Sequence, residues 1–318
     1  MLVSAVGGSG SVPRKTHAHM LVTEHGRLCG TVGGGAVEGK AIQMAQTLLI
    51  EKRFCAETFV LRENDAKNLG MVCGGKVMLY FKYVSHEDPE MCALAEKVNE
   101  QFSAGKRTWL IIGLESGRLS VYDGQTFTGD PVPASVTNAL CAAAMRIEAD
   151  GEQYYTERLV SSGKTYIFGG GHVAQALVPV LASVDFRCVV LEDREEFADP
   201  ALFPLADEVR LISPRAWGKE LEITEEDCVC VMTRGHEHDL ECQAFALRTD
   251  AYYIGVIGSR RKVATTNEKL RGMGFSDEEI ARIHTPIGLS ILAQTPAEIA
   301  VSIAAEMIQC RAVYMGIE

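Results

Sequence analysis

Residues 166–177 read YIFGGGHVAQAL. This order predicts a buried strand, a glycine turn and the start of a helix, with Gly169, Gly171 and Ala174 in the pattern G-x-G-x-x-A. The first glycine permits a tight turn, the second lets backbone N–H groups approach a phosphate, and the alanine lets the helix pack close to the strand. Partial positive charge at the helix N-terminus favours an anion. The predicted ligand-binding residues of this turn are Gly169, Gly170, Gly171 and His172.

An acidic pair follows the glycine turn after about 20 residues, where an acid that binds ribose is expected. Glu192 and Asp193 stand at the end of the apolar run 187–192. Further short apolar runs, with helix-like stretches between most of them, lie at 165–168, 208–212, 228–233 and 252–257. This alternation indicates a parallel sheet covered by helices on both faces. We predict a Rossmann-like domain that binds a dinucleotide or a related phosphate; the alternative is a glycine turn that only packs.

Polar clusters follow two more predicted strands. Because ligands bind outside the carboxyl ends of parallel strands, both clusters are expected to line the same crevice. The ligand-binding residues predicted from them are His236, Asp239, Ser259, Arg260 and Arg261. The basic cluster suits a phosphate, and its alternative is a solvated turn. A metal site at 236–239 is less favoured, because no nearby ligand completes a tetrahedral set.

The N-terminal half carries a second set of glycine turns. Ser11 and Arg14 lie in GSVPR at 10–14, and three glycines precede a predicted helix that has Glu38 in its first turn. Such turns bring backbone N–H groups to an anion or serve only as flexible turns. The ligand-binding residues predicted here are Ser11, Arg14, Gly33, Gly34, Gly35, Glu38 and Gly74.

Cys73 is the candidate reactive residue of the chain. It lies among glycines in GMVCGG at 70–75, so its sulfur has little side-chain cover, and nearby N–H groups would stabilise a thiolate. The alternative is a small buried residue at the start of a strand. The chain has ten cysteines and no CxxC pair, which indicates free thiols. We expect packing roles for Cys29, Cys55, Cys92, Cys141, Cys228 and Cys230.

The N-terminal half predicts mixed α/β structure. Apolar patterns predict a hairpin at 20–31, helices at 36–52, 88–104 and 134–147, and strands at 54–61, 76–84, 107–113 and 119–122. Residues 149–163 are polar and end in Ser-Ser-Gly. We therefore expect two domains, residues 1–155 and 160–318.

Bulk composition excludes some functions. The net charge of −11 disfavours a nucleic-acid partner. No apolar run approaches the roughly 20 residues that span a membrane, and the first residues lack the features of a signal peptide. We expect a cytoplasmic protein with no membrane and no nucleic-acid partner.

Several stretches, taken in order, resemble the XdhC/CoxI family of accessory factors for molybdenum hydroxylases such as xanthine dehydrogenase. The matching stretches lie at 10–14, 30–38, 70–75, 168–174, 192–194, 233–239, 255–262, 286–289 and 295–306. They cover nearly the whole chain, and their combination is specific. Three departures stand out: Met1 falls almost within the first strand, His17 and His19 replace small residues, and the segment 233–236 varies on the usual Thr-His-type pattern.

The resemblance implies an N-terminal XdhC/CoxI domain and a C-terminal Rossmann-like domain. It implies binding of the molybdenum cofactor (molybdopterin), protection of that cofactor during sulfuration by a cysteine desulfurase, and insertion into the apo-subunit of a molybdenum hydroxylase. Cys73 corresponds to the cysteine of the family motif. A homodimer is expected only because it is the common state of such proteins.

Two other functions remain open at the level of sequence. The first is an NAD(P)-dependent oxidoreductase that uses the Rossmann-like crevice, with Cys73 or His236 near the nicotinamide; NAD(P) or another nucleotide would then be the ligand. The second is a module that senses redox state or nucleotides. No general acid–base pair with a substrate-positioning partner is identifiable, so a cofactor chaperone without turnover is favoured over an enzyme.

Overall fold

The computed structural model describes residues 1–10, 15–61, 75–160, 163–213, 216, 220–234, 238–258 and 260–316. Contacts divide the chain into two compact units, Met1–Ser161 and Ser162–Glu318. Each unit has its own sheets and its own hydrophobic clusters.

The first sheet of the N-terminal unit is antiparallel and carries a helix on one face. Its strands are β1 (Leu2–Gly10), β2 (His19–Thr23), β3 (Gly26–Gly30), β4 (Cys55–Leu61) and β5 (Gly75–Lys82), in the order β3-β2-β1-β5-β4. Helix α1 (Gly35–Glu51) follows β3 and buries Val37, Ala41, Ala45 and Leu48. This 3–4 residue spacing places one apolar stripe against the sheet, as the sequence predicts.

The second sheet of this unit is also antiparallel. It contains β6 (Thr108–Gly113), β7 (Leu119–Tyr122), β8 (Phe127–Thr128), β9 (Met145–Ala149) and β10 (Glu152–Val160), in the order β8-β7-β6-β10-β9. Helices α2 (Pro89–Ala104) and α3 (Ala134–Asn138) lie before β6 and before β9. A shared cluster joins the two sheets through Val6, Tyr80, Leu110, Ile112 and Tyr155.

One predicted helix is wrong over most of its length. Helix α3 ends at Asn138, and Met145–Ala149 forms the edge strand β9, whereas the sequence predicts a helix at 134–147. β9 pairs with β10 in antiparallel register, so cross-strand hydrogen bonds override the helical preference of the alanine-rich stretch. The polar stretch that suggested a domain junction contains β10, which lies between β6 and β9.

The C-terminal unit is a parallel sheet wound with helices. Its strands are β11 (Thr165–Phe168), β12 (Cys188–Glu192), β13 (Glu208–Leu211), β14 (Cys228–Val231), β15 (Tyr253–Val256) and β16 (Ile283–His284), in the order β13-β12-β11-β14-β15-β16. Its helices are α4 (His172–Ala182), α5 (Asp239–Leu247), α6 (Arg260–Gly272), α7 (Asp277–Ile280) and α8 (Pro296–Tyr314). The pairings are parallel throughout, which confirms the predicted fold class.

This sheet is buried on both faces. Successive residues of β11 enter different clusters, Phe168 on one face and Ile167 on the other. Cys228 and Cys230 are fully buried, as predicted. Helix α8 begins at the predicted place, because Thr295 and Glu298 form a capping box around Pro296.

The packing role expected for several cysteines is wrong. Cys29, Cys92 and Cys141 are exposed. Cys55, in contrast, is half-buried and packs against the core of the first sheet, as predicted. Cys29 lies on the edge strand β3, whose side chains face solvent, and Cys92 lies on the outer face of the first turns of α2. An apolar neighbourhood in sequence therefore did not indicate burial at these positions.

Candidate functional site

The glycine turn joins β11 to α4, and backbone atoms enclose its first two residues. Gly169 has a φ of 108°, and a Cβ there would lie 2.5 Å from the backbone oxygen of Met232. A Cβ on Gly170 would lie 2.5 Å from the backbone oxygen of Phe197. Backbone oxygens cannot rotate away as a side chain would, so these two positions require glycine for space.

Gly171 is the open position of the same turn. A Cβ on this residue would meet no heavy atom within 4 Å, and its φ of −69° suits any residue. Helix α4 begins at His172, and among the described residues no side chain caps its N-terminus. Ala174 is fully buried, which fits the predicted close packing of helix and strand. The first N–H groups of α4 are therefore available to an anion, and Gly171 leaves room for one.

Glu192 ends β12, and its buried carboxylate accepts hydrogen bonds from within the protein. The Gly170 N–H donates to Oε2 at 2.7 Å, and Arg194 donates through Nε to Oε1 at 2.9 Å and through Nη2 to Oε2 at 2.8 Å. The N–H groups of Asp193 and Arg194 also donate to Oε1. Burial alone would raise the pKa of Glu192, but the bonds from Arg194, Asp193 and Gly170 outweigh it and lower the pKa to about 2.

This arrangement changes the interpretation of the acidic pair. A carboxylate has about four acceptor positions, and those of Glu192 are taken by the turn and by Arg194. A ribose would have to displace Arg194 in order to bind Glu192, so this residue primarily holds the turn. Asp193 is exposed at the same strand end. Its hydrogen bond to Glu192, and then burial, raise the pKa of Asp193.

The remaining strand ends in the crevice are described only in part. Asp239 begins α5, is buried, and accepts a hydrogen bond from the Thr233 hydroxyl, so its carboxylate also supports local structure. Helix α6 begins at Arg260, four residues after β15 ends. The predicted ligand groups that lie outside the described part are His236, Ser259 and the side chains of Arg260 and Arg261.

In the N-terminal unit, Glu38 binds the glycine turn that precedes α1. The φ values are 128°, 75° and 61° at Gly33, Gly34 and Gly35. The Gly34 N–H (3.2 Å) and the Thr31 hydroxyl donate to Glu38 Oε2, and Arg27 Nη1 donates to Oε1 at 3.0 Å. Burial would raise the pKa of Glu38, but the Thr31 and Gly34 bonds outweigh it and lower it. Glu38 is thus a support for the turn.

The N-terminal unit also contains a buried carboxylate that the sequence motifs do not reveal. Glu157 on β10 is 1% exposed. The Tyr155 hydroxyl donates to its Oε2 at 2.5 Å, and Nε2 of His19 contacts its Oε1. Ser4 Oγ lies 2.9 Å from Nδ1 of His19, and the His17 N–H donates to the Tyr155 hydroxyl at 3.3 Å. We name these five residues the His–Glu cluster.

The hydrogen bonds of the His–Glu cluster keep the buried Glu157 carboxylate ionised. Burial would raise the pKa of Glu157, but hydrogen bonding and charge from His19, together with the Tyr155 bond, lower it. Burial lowers the pKa of His17, and Nε2 of His17 is buried without a hydrogen-bond partner in the described part of the chain. A sequence signal existed: the charged pair at 157–158 lies between apolar residues in a strand-like run. The cluster adjoins segment 11–14 along the chain.

Four predicted site residues of the N-terminal half lie outside the described residues. They are Ser11, Arg14, Cys73 and Gly74. Within the described ranges, His, Cys, Asp and Glu side chains form no group of three or more that could hold a metal ion. No helix in those ranges is long and apolar enough to cross a membrane.

The fold and the glycine turn define the class of this protein: it pairs a mixed α/β unit with a Rossmann domain. A family model described as the XdhC Rossmann domain matches residues 165–307, and one described as the XdhC and CoxI family matches residues 1–60. The chain belongs to the XdhC/CoxI family, as the resemblance predicted.

Two relatives and one solved structure match nearly the whole chain. A probable subunit of xanthine dehydrogenase from Bacillus subtilis is 26% identical, over 98% of this chain and 93% of that protein. The molybdenum cofactor insertion chaperone PaoD of Escherichia coli is 22% identical, over 98% of this chain and 83% of that protein. The crystal structure of a xanthine dehydrogenase from Bacillus halodurans is similar with a TM-score of 0.75 at 26% identity, covering 97% of this chain and 90% of that one.

Proposed function

We propose that this protein binds the molybdenum cofactor and inserts it into a molybdenum hydroxylase such as xanthine dehydrogenase, without catalytic turnover. The observation that carries the proposal is the similarity to a molybdenum cofactor insertion chaperone over 98% of the chain. The similarity to a probable subunit of xanthine dehydrogenase supports the same client class.

The start of α4 supports the proposal, because its geometry suits the phosphate of a ligand such as this cofactor. The N–H groups at the start of α4 are positioned to donate hydrogen bonds to an anion, and Gly171 leaves space beside them. Gly169 and Gly170 hold the turn, while Glu192 and Arg194 anchor it to the end of β12. When bound, the cofactor supplies the molybdenum centre that the client hydroxylase uses. The role of this chain is to bind it and release it to the client.

Within the N-terminal unit, we propose Cys73 as a cofactor-binding residue, on its position in the sequence motif. Cys73→Ala is expected to reduce the molybdenum and pterin that copurify with the protein by about tenfold, because it removes the one thiol of the GMVCGG motif. The protein is expressed in cells that synthesise the cofactor, and the molybdenum and pterin contents of the purified protein are then measured. Cys92→Ala, at an exposed thiol on α2, is the matched control and should retain the wild-type content.

The two outcomes that contradict this proposal are distinct. Equal retention by Cys73→Ala and wild type would remove Cys73 from the site but leave the cofactor proposal intact. Wild-type protein that holds no pterin, and does not restore activity to cofactor-free hydroxylase, would reject the cofactor proposal itself.

The finer parts of the function are also proposals. We propose that the bound cofactor is sulfurated by a cysteine desulfurase before insertion, and that the protein acts as a homodimer. The desulfurase step follows from the family resemblance, and the homodimer rests only on its being the common state of such proteins. The mass of the purified protein in solution tests the homodimer. Pull-down with a purified cysteine desulfurase tests whether that enzyme binds this protein.

The second candidate ligand is NAD(P) or another nucleotide in the Rossmann crevice, with an NAD(P)-dependent oxidoreductase as the alternative function. The uncapped start of α4 favours a nucleotide phosphate as much as it favours a pterin phosphate. Hydride turnover with NAD(P)H, together with no pterin binding, would favour the oxidoreductase.

Arg260 and Arg261 are proposed to bind the phosphate of either ligand at the start of α6. Arg260→Ala combined with Arg261→Ala is expected to weaken binding of a phosphate ligand at least tenfold, since each charge-assisted hydrogen bond contributes about 1.5–3 kcal/mol. Isothermal titration with NADPH and with inorganic pyrophosphate measures the change. Arg271→Ala, in the last turn of the same helix, is the control and should bind as wild type. Wild-type affinity in the double variant would reject this role.

A further inference from the structure

A thiol, an imidazole and a carboxylate lie in a line at the β16 edge of the C-terminal unit. Glu306 and Cys310 are four residues apart on α8, so their side chains share one face of that helix. His284 ends β16. Cys310 Sγ lies 3.9 Å from His284 Nε2, and His284 Nδ1 lies 3.7 Å from Glu306 Oε1. The imidazole thus stands between the thiol and the carboxylate.

The carboxylate of Glu306 is held in one orientation. The Tyr253 hydroxyl donates to Oε2 at 2.6 Å, and the Gly288 N–H donates to the same oxygen at 2.9 Å. Oε1 is left to face His284. Burial would raise the pKa of Glu306, but the neighbouring His284 imidazole and the hydrogen bonds from Tyr253 and Gly288 outweigh it and lower the pKa, which keeps the group ionised.

This orientation selects the tautomer of His284. An ionised carboxylate opposite Nδ1 favours the proton on Nδ1, which leaves Nε2 with a lone pair directed at Cys310. The ring also lies against Tyr253, with centroids 4.9 Å apart, and this contact limits its rotation. The same order of groups, with the base oriented by a third residue, activates nucleophiles in enzymes.

The surroundings of Cys310 keep its thiol protonated at rest. Burial and then the charge of Glu306 raise the pKa of Cys310. Two other titratable groups interact electrostatically with Cys310, namely Cys228 on β14 and Tyr252 just before β15, and burial also raises their pKa values. The next residue, Arg311, donates to the Val184 carbonyl and lies over Phe186. Reaction of Cys310 at neutral pH therefore requires a base, and His284 is in position to serve.

We infer that Cys310 is a site of covalent modification at which small disulfides form a mixed disulfide with this protein, with His284 as the base and Glu306 as the residue that positions the imidazole. This inference is independent of cofactor insertion. The thiol is only partly buried and the His284 side chain is 38% exposed, so a small reagent has access to the pair.

The chemical step is thiol–disulfide exchange. As the sulfur of Cys310 attacks the disulfide, its proton moves to Nε2 of His284. A new sulfur–sulfur bond forms to Cys310, and the sulfur–sulfur bond of the reagent breaks. The departing thiolate then takes the proton from the imidazole. The products are a mixed disulfide and one free thiol, so the small disulfide is the only oxidant required.

The test compares Cys310 with an ordinary thiol in the same molecule. The full-length protein is treated with 2,2′-dithiodipyridine at pH 7, quenched at intervals, and the labelled fraction of each cysteine is measured by peptide mass spectrometry. Cys92 is the reference, since it is exposed and its Sγ donates only to the His86 carbonyl oxygen at 3.3 Å. We expect His284→Gln to lower the ratio of the Cys310 rate to the Cys92 rate by at least about fivefold.

If His284→Gln lowers the ratio of the Cys310 rate to the Cys92 rate by less than about fivefold, the inference is overturned. The pH dependence of the wild-type protein gives a second test that needs no variant. The Cys92 rate is the reference at each pH. The Cys310 rate should depend on pH differently from the Cys92 rate, because the Cys310 proton passes to the His284 imidazole. A Cys310 rate that rises in parallel with that of Cys92 also overturns the inference.

Discussion

Gly169→Ala is expected to lower the free energy of unfolding of the C-terminal unit by about 2–5 kcal/mol. At a φ of 108° an alanine is strained, and its Cβ would lie 2.5 Å from the backbone oxygen of Met232. Because the oxygen belongs to the loop after β14, relief of the clash must move the turn away from the sheet. Urea unfolding, with hydrogen exchange of peptides from residues 163–213, measures the loss.

Gly171→Ala is the matched control two positions further along the same turn. Its backbone is already acceptable for alanine, and the added Cβ meets open space. Stability should stay within about 1 kcal/mol of wild type, the difference reflecting the poorer N-cap. Binding of a phosphate ligand should nevertheless weaken, because the methyl group occupies the approach to α4. Equal stability of Gly169→Ala and wild type would contradict the tight turn.

Glu157→Gln is expected to lower the free energy of unfolding of the N-terminal unit by about 2 kcal/mol, because a charged acceptor buried at 1% exposure is lost. The amide cannot accept from both Tyr155 and His19 as the carboxylate does. Thermal unfolding and hydrogen exchange of peptides from 75–160 measure the change. Glu148→Gln, on the solvent-facing side of the neighbouring strand β9, is the control and should be neutral within about 0.5 kcal/mol.

The His–Glu cluster should also make the N-terminal unit sensitive to acid. The pKa of His17 is lowered in the folded state, so below about pH 6.5 the unfolded chain binds a proton that the folded chain does not. The pKa of Glu157 is lowered as well, so its contribution to stability is present above about pH 4.3 and lost as the pH falls further. Both groups therefore destabilise the unit on acidification from pH 7.

Acid sensitivity can be assigned to these residues with a variant. Glu157→Gln should flatten the loss of stability between about pH 5 and pH 3, while the loss near about pH 6.5 remains with His17. Unfolding free energies measured in urea at about pH 7, 5.5, 4 and 3 provide the comparison. A wild-type unit whose stability is unchanged from pH 7 to pH 4 would contradict both assignments.

The C-terminal fold was predictable because its signals are local. The run 166–177 encodes strand, turn and helix within one stretch, and the clash that requires glycine at Gly169 is a property of that turn geometry. The alternation of short apolar runs with helical stretches then determined a parallel sheet, and the capping residues around Thr295 determined where α8 begins. Membership of the XdhC/CoxI family was likewise predictable from the motifs and their order along the chain.

Other features depend on residues that are distant in sequence. Glu192 was predicted to receive a ligand, and in the folded protein Gly170 and Arg194 occupy its oxygens. The strand β9 forms because β10 offers a partner for its backbone, a hydrogen-bonding choice that side-chain patterns within 134–147 do not reveal.

The amino-acid order thus specified the Rossmann turn, the parallel sheet and the family, since each depends on neighbours within a few residues. Folding alone brought His19 to Glu157, and His284 to Glu306 and Cys310, across 138, 22 and 26 positions of chain. Charge and reactivity depend on distances of a few ångströms between such groups, and only the packed chain sets those distances.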